Sequence, residues 1–419
     1  MNKKDQREDF KFLVNKFRDA HIACMGKLKD EQLNIVKYIE EKIKEGTEEL
    51  DFALLLNEFV CSFKDAHSSI NISGYSKRMI DLNLIWLDSG IYVLKSLGPV
   101  KQGDKLLSIG RMNNNELLEE LWKIIPSENE YWIKSSIYLI KYEIYLRKLG
   151  LINKDEKVEL ELLRDGKKVS VEMKIYDIKR RNQYNVKNNF ISYKIDKDKN
   201  IGILKLKKCI YNEEYKDTLK KFFYEVKENK LKSILLDLRD NTGGNSSVCD
   251  EFIRYIDIDA YNHYGINGYI SEELKSVYPK YMDEENGFYI HKGKENIINE
   301  KVDKSLLFDG DVNVIINNRT FSSGMMFAVL LSDNNMAKVL GEPLGNKPSN
   351  YGDIITFKLP NSELEFSVSW KQFTRPKEES ENEDTLVPDI QIYRTFDEIV
   401  NNNNKQLNRA IEYITERCE

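Results

Sequence analysis

The chain has 419 residues, which is enough for two or three domains with their own hydrophobic cores. Its 64 basic and 69 acidic residues leave a net charge of −5, and no basic run is interleaved with aromatic residues, which argues against a nucleic-acid-binding protein. Only 8 prolines and 21 glycines are present, which argues against long low-complexity segments.

The residue types that commonly bind metals do not follow a metal-binding pattern. The four histidines show no HExxH or other ligand spacing, so we expect no metal and no other cofactor. The cysteines are scattered without a CxxC pair, which predicts reduced thiols and neither a disulfide framework nor a zinc site. They are Cys24, Cys61, Cys209, Cys249 and Cys418.

The sequence contains no apolar segment long enough for a membrane. No window approaches the roughly 18 consecutive apolar residues of a spanning helix, so we expect none. The charged segment Met1–Asp9 is not followed by an apolar region, and we expect no signal peptide in the chain as given. The compartment stays open: the chain is cytoplasmic as written, and extracytoplasmic if a leader has been removed.

Residues 1–69 are predicted to form a helical region that ends in a polar junction. Apolar residues recur near helical spacing in three segments before residue 65. Polarity then rises over Lys64–Ser69, just before a strand pattern begins, and His67 lies in this junction. Functional residues favour such connections. A lone histidine there is more often a satisfied polar residue than a catalyst, so its position alone leaves both interpretations open.

Residues 70–178 are predicted to be mainly β-structure with a helical interruption at Glu128–Leu149. The turn Gly103-Asp104 leads into an apolar strand, and the segments 158–163 and 168–175 form a hairpin. This order resembles a PDZ domain with a helical insertion, although a generic small β domain remains the alternative. PDZ-like modules bind extended peptides as an added strand at a sheet edge.

Strands alternate with helices in the last predicted domain, residues 190–419. The polar segment Lys179–Asn189 before it is predicted to be a linker. A helix over Tyr215–Asn229 separates the strands Ile201–Leu206 and Ser233–Leu238, which favours a parallel or mixed sheet covered by helices. Residues 258–309 form a polar insertion that the pattern leaves unassigned. The predicted fold class is α+β and multidomain, with domains at 1–69, 70–178 and 190–419.

The segment Ser233–Asn245, SILLDLRDNTGGN, joins an apolar strand to a polar turn that ends in paired glycines. Gly243 and Gly244 permit positive φ angles and allow backbone N–H groups to approach a ligand closely. A phosphate-binding loop is the competing interpretation, but neither GxGxxG nor GxxxxGK[ST] is present. An oxyanion site fits better, because a serine-bearing turn occurs elsewhere in the same domain.

That turn lies in Asp311–Glu342, where a β-branched strand, the pair Ser322-Ser323 and a helix-like apolar run follow one another. A serine between a strand and a helix exposes its hydroxyl near the free N–H groups of the helix start. Alternatively, either serine caps the helix.

Both segments together resemble peptidase family S41, the C-terminal processing proteases and their tricorn-like relatives. The resemblance rests on DLRDNTGGN, on the serine-bearing segment through Gly341-Glu342, and on Pro388-Asp389-Ile390. It implies a serine peptidase with a PDZ-like module and a crotonase/ClpP-like α/β core. By alignment to the family pattern, the nucleophile is Ser322 and not Ser323. Met325 replaces the pattern's acidic residue, a departure that affects no proposed catalytic role.

The resemblance also implies an oxyanion hole and a base. The hole would use the N–H groups of Gly243 or Gly244 and of Ser323. One branch of the family uses a histidine in a D-x-H segment, which His67 matches, and the other uses a lysine 25 residues after the serine, which Lys347 matches. We favour His67, because its ordinary pKa suits proton transfer at neutral pH, whereas a lysine in a polar loop is not desolvated.

The tricorn-like branch places an orienting glutamate shortly before the Pro-Asp-Ile segment. Glu381, Glu383 and Asp384 all fall in that window, and we favour Glu383. The predicted function is a serine endopeptidase that acts on peptides or unfolded proteins, with a homo-oligomer possible. The alternatives are a catalytically silent peptide-binding protein of the same fold, a protease with a Ser322/Lys347 dyad, and a crotonase-type acyl-CoA enzyme.

Overall fold

The computed structural model describes residues 1–178, 189–292 and 295–416 of the chain. Residues 179–188 of the predicted linker and Cys418 lie outside this part. The chain divides into two compact units: residues 1–182, 267–291 and 350–372 form the first, and residues 183–266, 292–349 and 373–419 form the second. Within the described ranges, no helix is long and apolar enough to cross a membrane.

The α-helices in chain order are α1 (Lys3–Ala20), α2 (Asp30–Glu45), α3 (Glu49–Cys61), α4 (Asn114–Leu121), α5 (Glu130–Ser135), α6 (Glu143–Lys148), α7 (Glu213–Glu228), α8 (Ser247–Ile253), α9 (Glu272–Val277), α10 (Ser323–Asp333), α11 (Phe396–Val400) and α12 (Lys405–Thr415). The strands are β1 (Ser69–Ile70), β2 (Arg78–Met79), β3 (Leu84–Leu87), β4 (Gly90–Val93), β5 (Lys105–Ile109), β6 (Met112–Asn113), β7 (Lys157–Arg164), β8 (Lys167–Lys174), β9 (Tyr176–Asp177), β10 (Ile191–Asp196), β11 (Ile201–Leu206), β12 (Ser233–Asp237), β13 (Ala260–Asn262), β14 (Gly265–Ile270), β15 (Gly287–Lys292), β16 (Asn296–Ile298), β17 (Asp311–Ile316), β18 (Lys338–Gly341), β19 (Asn350–Lys358), β20 (Glu365–Thr374) and β21 (Ile390–Gln391).

Three N-terminal helices and a five-stranded sheet share one core of the first unit. Helix α1 begins where the Asn2 side chain accepts hydrogen bonds from the first free backbone amides, and its apolar stripe buries Phe10, Leu13 and Phe17. The helices predicted before residue 65 are confirmed as α1–α3. Strand β1 pairs antiparallel with β20, which continues through β14 to β15, and β19 also pairs with β20. His67 therefore lies immediately before a sheet strand.

A second sheet of the first unit has the order β3-β4-β5-β7-β8, with β6 on β5. The predicted hairpin is confirmed as β7 and β8, which pair in register from Lys157↔Lys174 to Arg164↔Lys167. Helix α4 packs on β5 and α5 on β3, over a core that includes Leu106 and Leu160. The PDZ-like assignment of this region stays a prediction.

The second unit contains a six-stranded sheet with the order β10-β11-β12-β17-β18-β21. Strand β10 is antiparallel to β11, and the other neighbours are parallel, as the alternation of strands and helices predicted. On one face, Leu236 belongs to the same core as Phe327 of α10, and on the opposite face, Leu235 belongs to the same core as Ile411 of α12. Both faces are covered, so the central strands are rich in buried apolar residues.

The parallel pairing brings the two motif-bearing segments to one sheet edge. Strand β12 ends at Asp237 and β17 at Ile316, and the two run in register with Asp237 opposite Ile315. In open parallel sheets, ligand sites form beyond the carboxyl ends of adjacent strands. The unassigned stretch 258–309 contains β13 to β16 and α9, and its residues 267–291 belong to the first unit.

Candidate active site

Ser322 occupies a strained position between β17 and α10 in the second unit. Its backbone has φ 52° and ψ −128°, a conformation that a side chain with a Cβ rarely adopts. The Ser322 amide donates to Oδ1 of the buried Asn346 at 2.9 Å. Among the described residues, its hydroxyl makes no capping bond to α10. The turn therefore presents a serine hydroxyl that the helix does not use.

The neighbouring Ser323 has a different environment. It is buried, and its hydroxyl donates to the carbonyl of Gly244 at 2.7 Å. This bond ties the first residue of α10 to the glycine-rich loop that follows β12. Of the two adjacent serines, Ser322 keeps its hydroxyl available, and Ser323 uses its hydroxyl to hold the site together.

The paired glycines leave no space for a side chain. Gly243 has φ +84°, and a Cβ atom there would lie 2.5 Å from Cβ and 3.1 Å from Oγ of Ser322. Gly244 has φ +139°, and a Cβ atom there would lie 2.2 Å from the carbonyl oxygen of Cys209. Real Cβ atoms do not come within 3.0 Å of such neighbours. Glycine at both positions allows the loop backbone to pass directly beside the serine.

The amides of Gly244 and Ser323 are available as hydrogen-bond donors at this turn, whereas that of Gly243 is not. The N–H of Gly243 already donates to Oδ1 of Asn241 at 2.8 Å. Within the described part of the chain, no hydrogen bond is found from the amide of Gly244 or of Ser323. Ser323 begins α10, and the first amides of a helix lack intrahelical acceptors and carry partial positive charge.

Asn241 connects the glycine loop to the serine turn. Its side chain donates to the carbonyl of Leu206 at 2.8 Å, and its own carbonyl accepts the amide of Phe321 at 2.8 Å. A Cβ atom on Gly324 would lie 2.6 Å from Oδ1 of Asn241, so the helix start approaches this asparagine closely. Sequence reasoning quoted Asn241 only as part of a motif and did not single out Asn346. Asn241 lies four residues after β12 and Asn346 five residues after β18, and nothing in the sequence distinguishes them from other loop asparagines.

His67 lies in the first unit, between α3 and β1. Its side chain is 13 % exposed. Burial lowers the pKa of His67 below its ordinary value, while the negative charges of Asp65 and Asp353 oppose that shift. A neutral imidazole at neutral pH is the form that accepts a proton.

Asp65 is fully buried two residues before this histidine. Its Oδ1 accepts the backbone N–H of His67 at 2.9 Å and lies 3.9 Å from Nδ1 of the same residue. Its Oδ2 accepts the hydroxyl of Ser68 at 2.5 Å and lies 3.3 Å from Nε2 of His21. Burial alone would raise the pKa of Asp65, but the hydrogen bond with His21 holds it well below its usual range.

Glu128 is the third member of a possible ligand cluster with Asp65 and His67. Glu128 accepts the amide of Ala66 at 3.1 Å, and oxygens of Asp65 and Glu128 lie with a nitrogen of His67 within 4.8 Å of one another. Such a trio can hold a metal ion, but acidic groups are common in this arrangement without one. The cluster therefore carries no metal assignment.

The other two predicted site residues form ion pairs in the second unit. Nζ of Lys347 lies 3.0 Å from Oδ1 of Asp384. Glu383 is 54 % exposed, and its Oε2 lies 2.9 Å from Nη1 of Arg375. Arg375 is itself buried and pairs with the fully buried Asp333. In these pairs, Lys347 is the charged ammonium and Glu383 is part of the network around a buried guanidinium.

Comparisons with known proteins match this architecture. Residues 200–392 match the model of peptidase family S41, a range that includes Gly243, Gly244, Ser322, Lys347 and Glu383. Mature CPAF complexed with lactacystin aligns with a TM-score of 0.69 and 14 % identity, covering 99 % of this chain and 98 % of that one. Mature CPAF alone gives a TM-score of 0.67 and 13 % identity, covering 99 % and 96 %.

A putative peptidase from Parabacteroides merdae aligns with a TM-score of 0.53 and 15 % identity, covering 97 % of this chain and 96 % of that one. At these identities, the likeness to solved structures establishes the fold. No curated protein matches the sequence. The family model supplies the class: the region 200–392 belongs to peptidase family S41, and the chain is a serine-type peptidase.

Proposed function

We propose that the chain is an endopeptidase that cleaves peptide bonds through an acyl-enzyme on Ser322. The observation that carries this proposal is the strained Ser322 turn, in which the hydroxyl does not cap the helix and lies beside the glycine loop. Strained backbone at a nucleophile keeps the reactive oxygen exposed and fixed in one direction.

The reaction has two halves. His67 accepts the hydroxyl proton as Oγ of Ser322 attacks the peptide carbonyl carbon, and it then donates that proton to the leaving amine as the C–N bond breaks. In the second half, His67 takes a proton from water as the water oxygen attacks the acyl carbon, and it returns that proton to Oγ of Ser322 as the acyl–oxygen bond breaks. The two residues belong to different compact units. The proposal therefore rests on their chemistry and on the test below.

The oxyanion of each tetrahedral intermediate requires fixed donors, and we assign them to the amides of Gly244 and Ser323. The sequence left open whether Gly243 or Gly244 takes part. The Gly243 amide already has an acceptor in Asn241, whereas those of Gly244 and Ser323 have none among the described residues. Removal of one such donor typically costs about 3–4 kcal/mol in the barrier.

His67 is favoured over Lys347 as the base for an electrostatic reason. Burial lowers the pKa of His67, so its neutral form predominates at neutral pH. Lys347 forms an ion pair with Asp384 as an ammonium, which has no lone pair to accept a proton. Glu383 stays the carboxylate that the sequence predicts for orienting His67.

The substrate class follows from the family and from the predicted PDZ-like module. A peptidase that binds an extended strand at a sheet edge requires a segment of substrate without competing structure. We therefore propose peptides and unfolded protein segments as substrates.

Labelling with a fluorophosphonate probe tests this function. Intact mass should show one adduct on the wild-type chain, and Ser322→Ala and His67→Ala should each abolish it. Lys347→Ala is the matched control and should retain it. Loss of the adduct in Lys347→Ala with retention in His67→Ala would move the base to the lysine. A wild-type chain that takes up no adduct would contradict the proposal and favour the silent binding protein.

A further inference from the structure

The residues around His67 contain a carboxylate whose surroundings suit the orienting role better than those of Glu383. Resting on the role of His67 as the base, we propose that Asp65, fixed by His21 and Ser68, orients the His67 ring and stabilises its protonated form. Asp65 acts through His67 and does not touch the substrate, so it is a positioning residue.

Asp65 is held by donors from two parts of the first unit, His21 and the segment His67–Ser68. The amide of Ala23 donates to Nδ1 of His21 at 3.1 Å, which leaves Nε2 as the ring nitrogen that donates to Asp65. The amide of Ser369 donates to Oγ of Ser68 at 3.1 Å, which directs the hydroxyl proton of Ser68 toward Asp65. A buried carboxylate held by such donors has one orientation.

That orientation directs one oxygen at His67. Oδ1 of Asp65 accepts the backbone amide of His67, and the same oxygen lies 3.9 Å from Nδ1 of the ring. This distance exceeds a hydrogen bond but lies within ion-pair range, and catalytic hydrogen bonds often tighten only when substrate binds. With its Nδ1–H facing Asp65, the neutral ring carries its lone pair on Nε2, the nitrogen that the proposed mechanism requires as the proton acceptor.

The other charged groups that face His67 are less suited to the role. Asp353 of β19 already forms an ion pair with Lys371 at 2.6 Å. Glu128 lies close to the His67 ring, in the segment before α5, and its Oε1 already accepts the amide of Ala66. The ring of Tyr351 packs edge-on against His21, and burial, together with the charge of Asp65, raises the pKa of Tyr351. That phenol is therefore neutral at physiological pH.

Glu383 differs from Asp65 in both burial and pairing. It is 54 % exposed and bonds to Arg375, whereas Asp65 is fully buried beside the histidine. A carboxylate in a water-excluded site interacts more strongly with a neighbouring charge than an exposed carboxylate does. The two assignments therefore predict different effects on the pKa of His67.

The decisive experiment is ¹⁵N NMR of the full-length Ser322→Ala protein with labelled histidines. Comparison with Ser322→Ala/His67→Gln assigns the His67 signals among the four histidines of the chain. The proposal predicts a neutral His67 ring protonated on Nδ1. A ring protonated on Nε2 would overturn it. This measurement requires no change at Asp65, so it stands even where an Asp65 variant fails to fold.

The second measurement is the change in the pKa of His67 when a neighbouring carboxylate is neutralised in the Ser322→Ala protein. Asp65→Asn should lower the pKa of His67 by about one unit, because it removes the facing negative charge. Glu383→Gln should leave that pKa unchanged, and Glu128→Gln should lower it by less than Asp65→Asn. A larger shift in Glu128→Gln or Glu383→Gln than in Asp65→Asn would overturn the proposal.

The proposed function and this inference fail in separate ways. Fluorophosphonate labelling reports on Ser322 and on the base, whereas the tautomer and the pKa report on the Asp65–His67 contact without turnover. In the otherwise wild-type chain, Asp65→Asn should slow labelling about 100-fold or more and move the acid limb of its pH profile to lower pH. An unchanged acid limb in a folded Asp65→Asn protein would contradict the positioning role.

Discussion

Replacement of Gly243 by alanine tests whether close contact with the glycine loop sets the position of Ser322, the proposed nucleophile. The new methyl group would lie 2.5 Å from Cβ of Ser322, while ordinary contacts begin at 3.4 Å, so the two backbones must separate by about 1 Å. A displacement of this size at a reacting group costs about 100-fold in rate. Gly243→Ala should therefore slow fluorophosphonate labelling about 100-fold.

Gly166 provides a matched control, because it also has a positive φ, +75°, but a Cβ atom there meets nothing within 4 Å. Both variants incur a backbone penalty of about 1–2 kcal/mol, so both should lose a similar amount of stability from that source. Only Gly243→Ala should lose labelling. If folded Gly243→Ala labels at the wild-type rate, the glycine loop does not set the position of Ser322, and the reasoning is refuted.

Three other predictions follow from buried polar groups. Arg375→Met should lower the free energy of unfolding by about 3–5 kcal/mol in chemical denaturation, because it leaves the buried carboxylate of Asp333 unpaired. The control Lys168→Met removes an exposed ion pair and should lower it by about 1 kcal/mol or less. Equal losses in the two variants would contradict the role of burial. Asn346→Ala removes the acceptor of the Ser322 amide and should slow labelling at least about tenfold. An unchanged rate would show that Asn346 does not determine the geometry of the Ser322 turn. The labelling rate should fall as the pH drops through the lowered pKa of His67, with a midpoint below about 6.5, and a midpoint at or above that value would argue against His67 as the base.

The sequence predicted those helices and strands in which apolar residues recur at a regular spacing. The N-terminal helices, the hairpin of β7 and β8 and the parallel strands of the second unit are confirmed. In the helices and the hairpin, burial of one face imposes a regular period on the sequence, and in the parallel strands burial of both faces produces short apolar runs. The stretch 258–309 gave no such signal, because its short strands pair with distant partners: β14 with β20, and β13 with β16. When short strands pair with strands distant in the sequence, neither strand shows a residue pattern that predicts the pairing.

The candidate site shows the same division between local and distant information. Ser322 and the paired glycines were recognisable, because a strand-to-helix turn and positive φ angles require particular residue types locally. The carboxylate that orients the proposed base could not be identified from the sequence. Glu381, Glu383 and Asp384 fit the family spacing equally well, and spacing carries no information on which carboxylate is buried or paired. That depends on side chains remote in sequence, such as Arg375 beside Glu383 and His21 beside Asp65.

The buried polar residues explain how each compact unit holds one of the two proposed catalytic residues in a fixed position. Unpaired polar groups in a protein interior are costly, so a buried asparagine or aspartate fixes the groups to which it bonds. Asn241 and Asn346 restrain the backbone on either side of Ser322 in this way, and Asp65 restrains His67. None of these three residues has an apolar period or a helix-capping role to mark it. Their effect depends on burial, which is why geometry is needed to distinguish a positioning residue from an ordinary polar side chain.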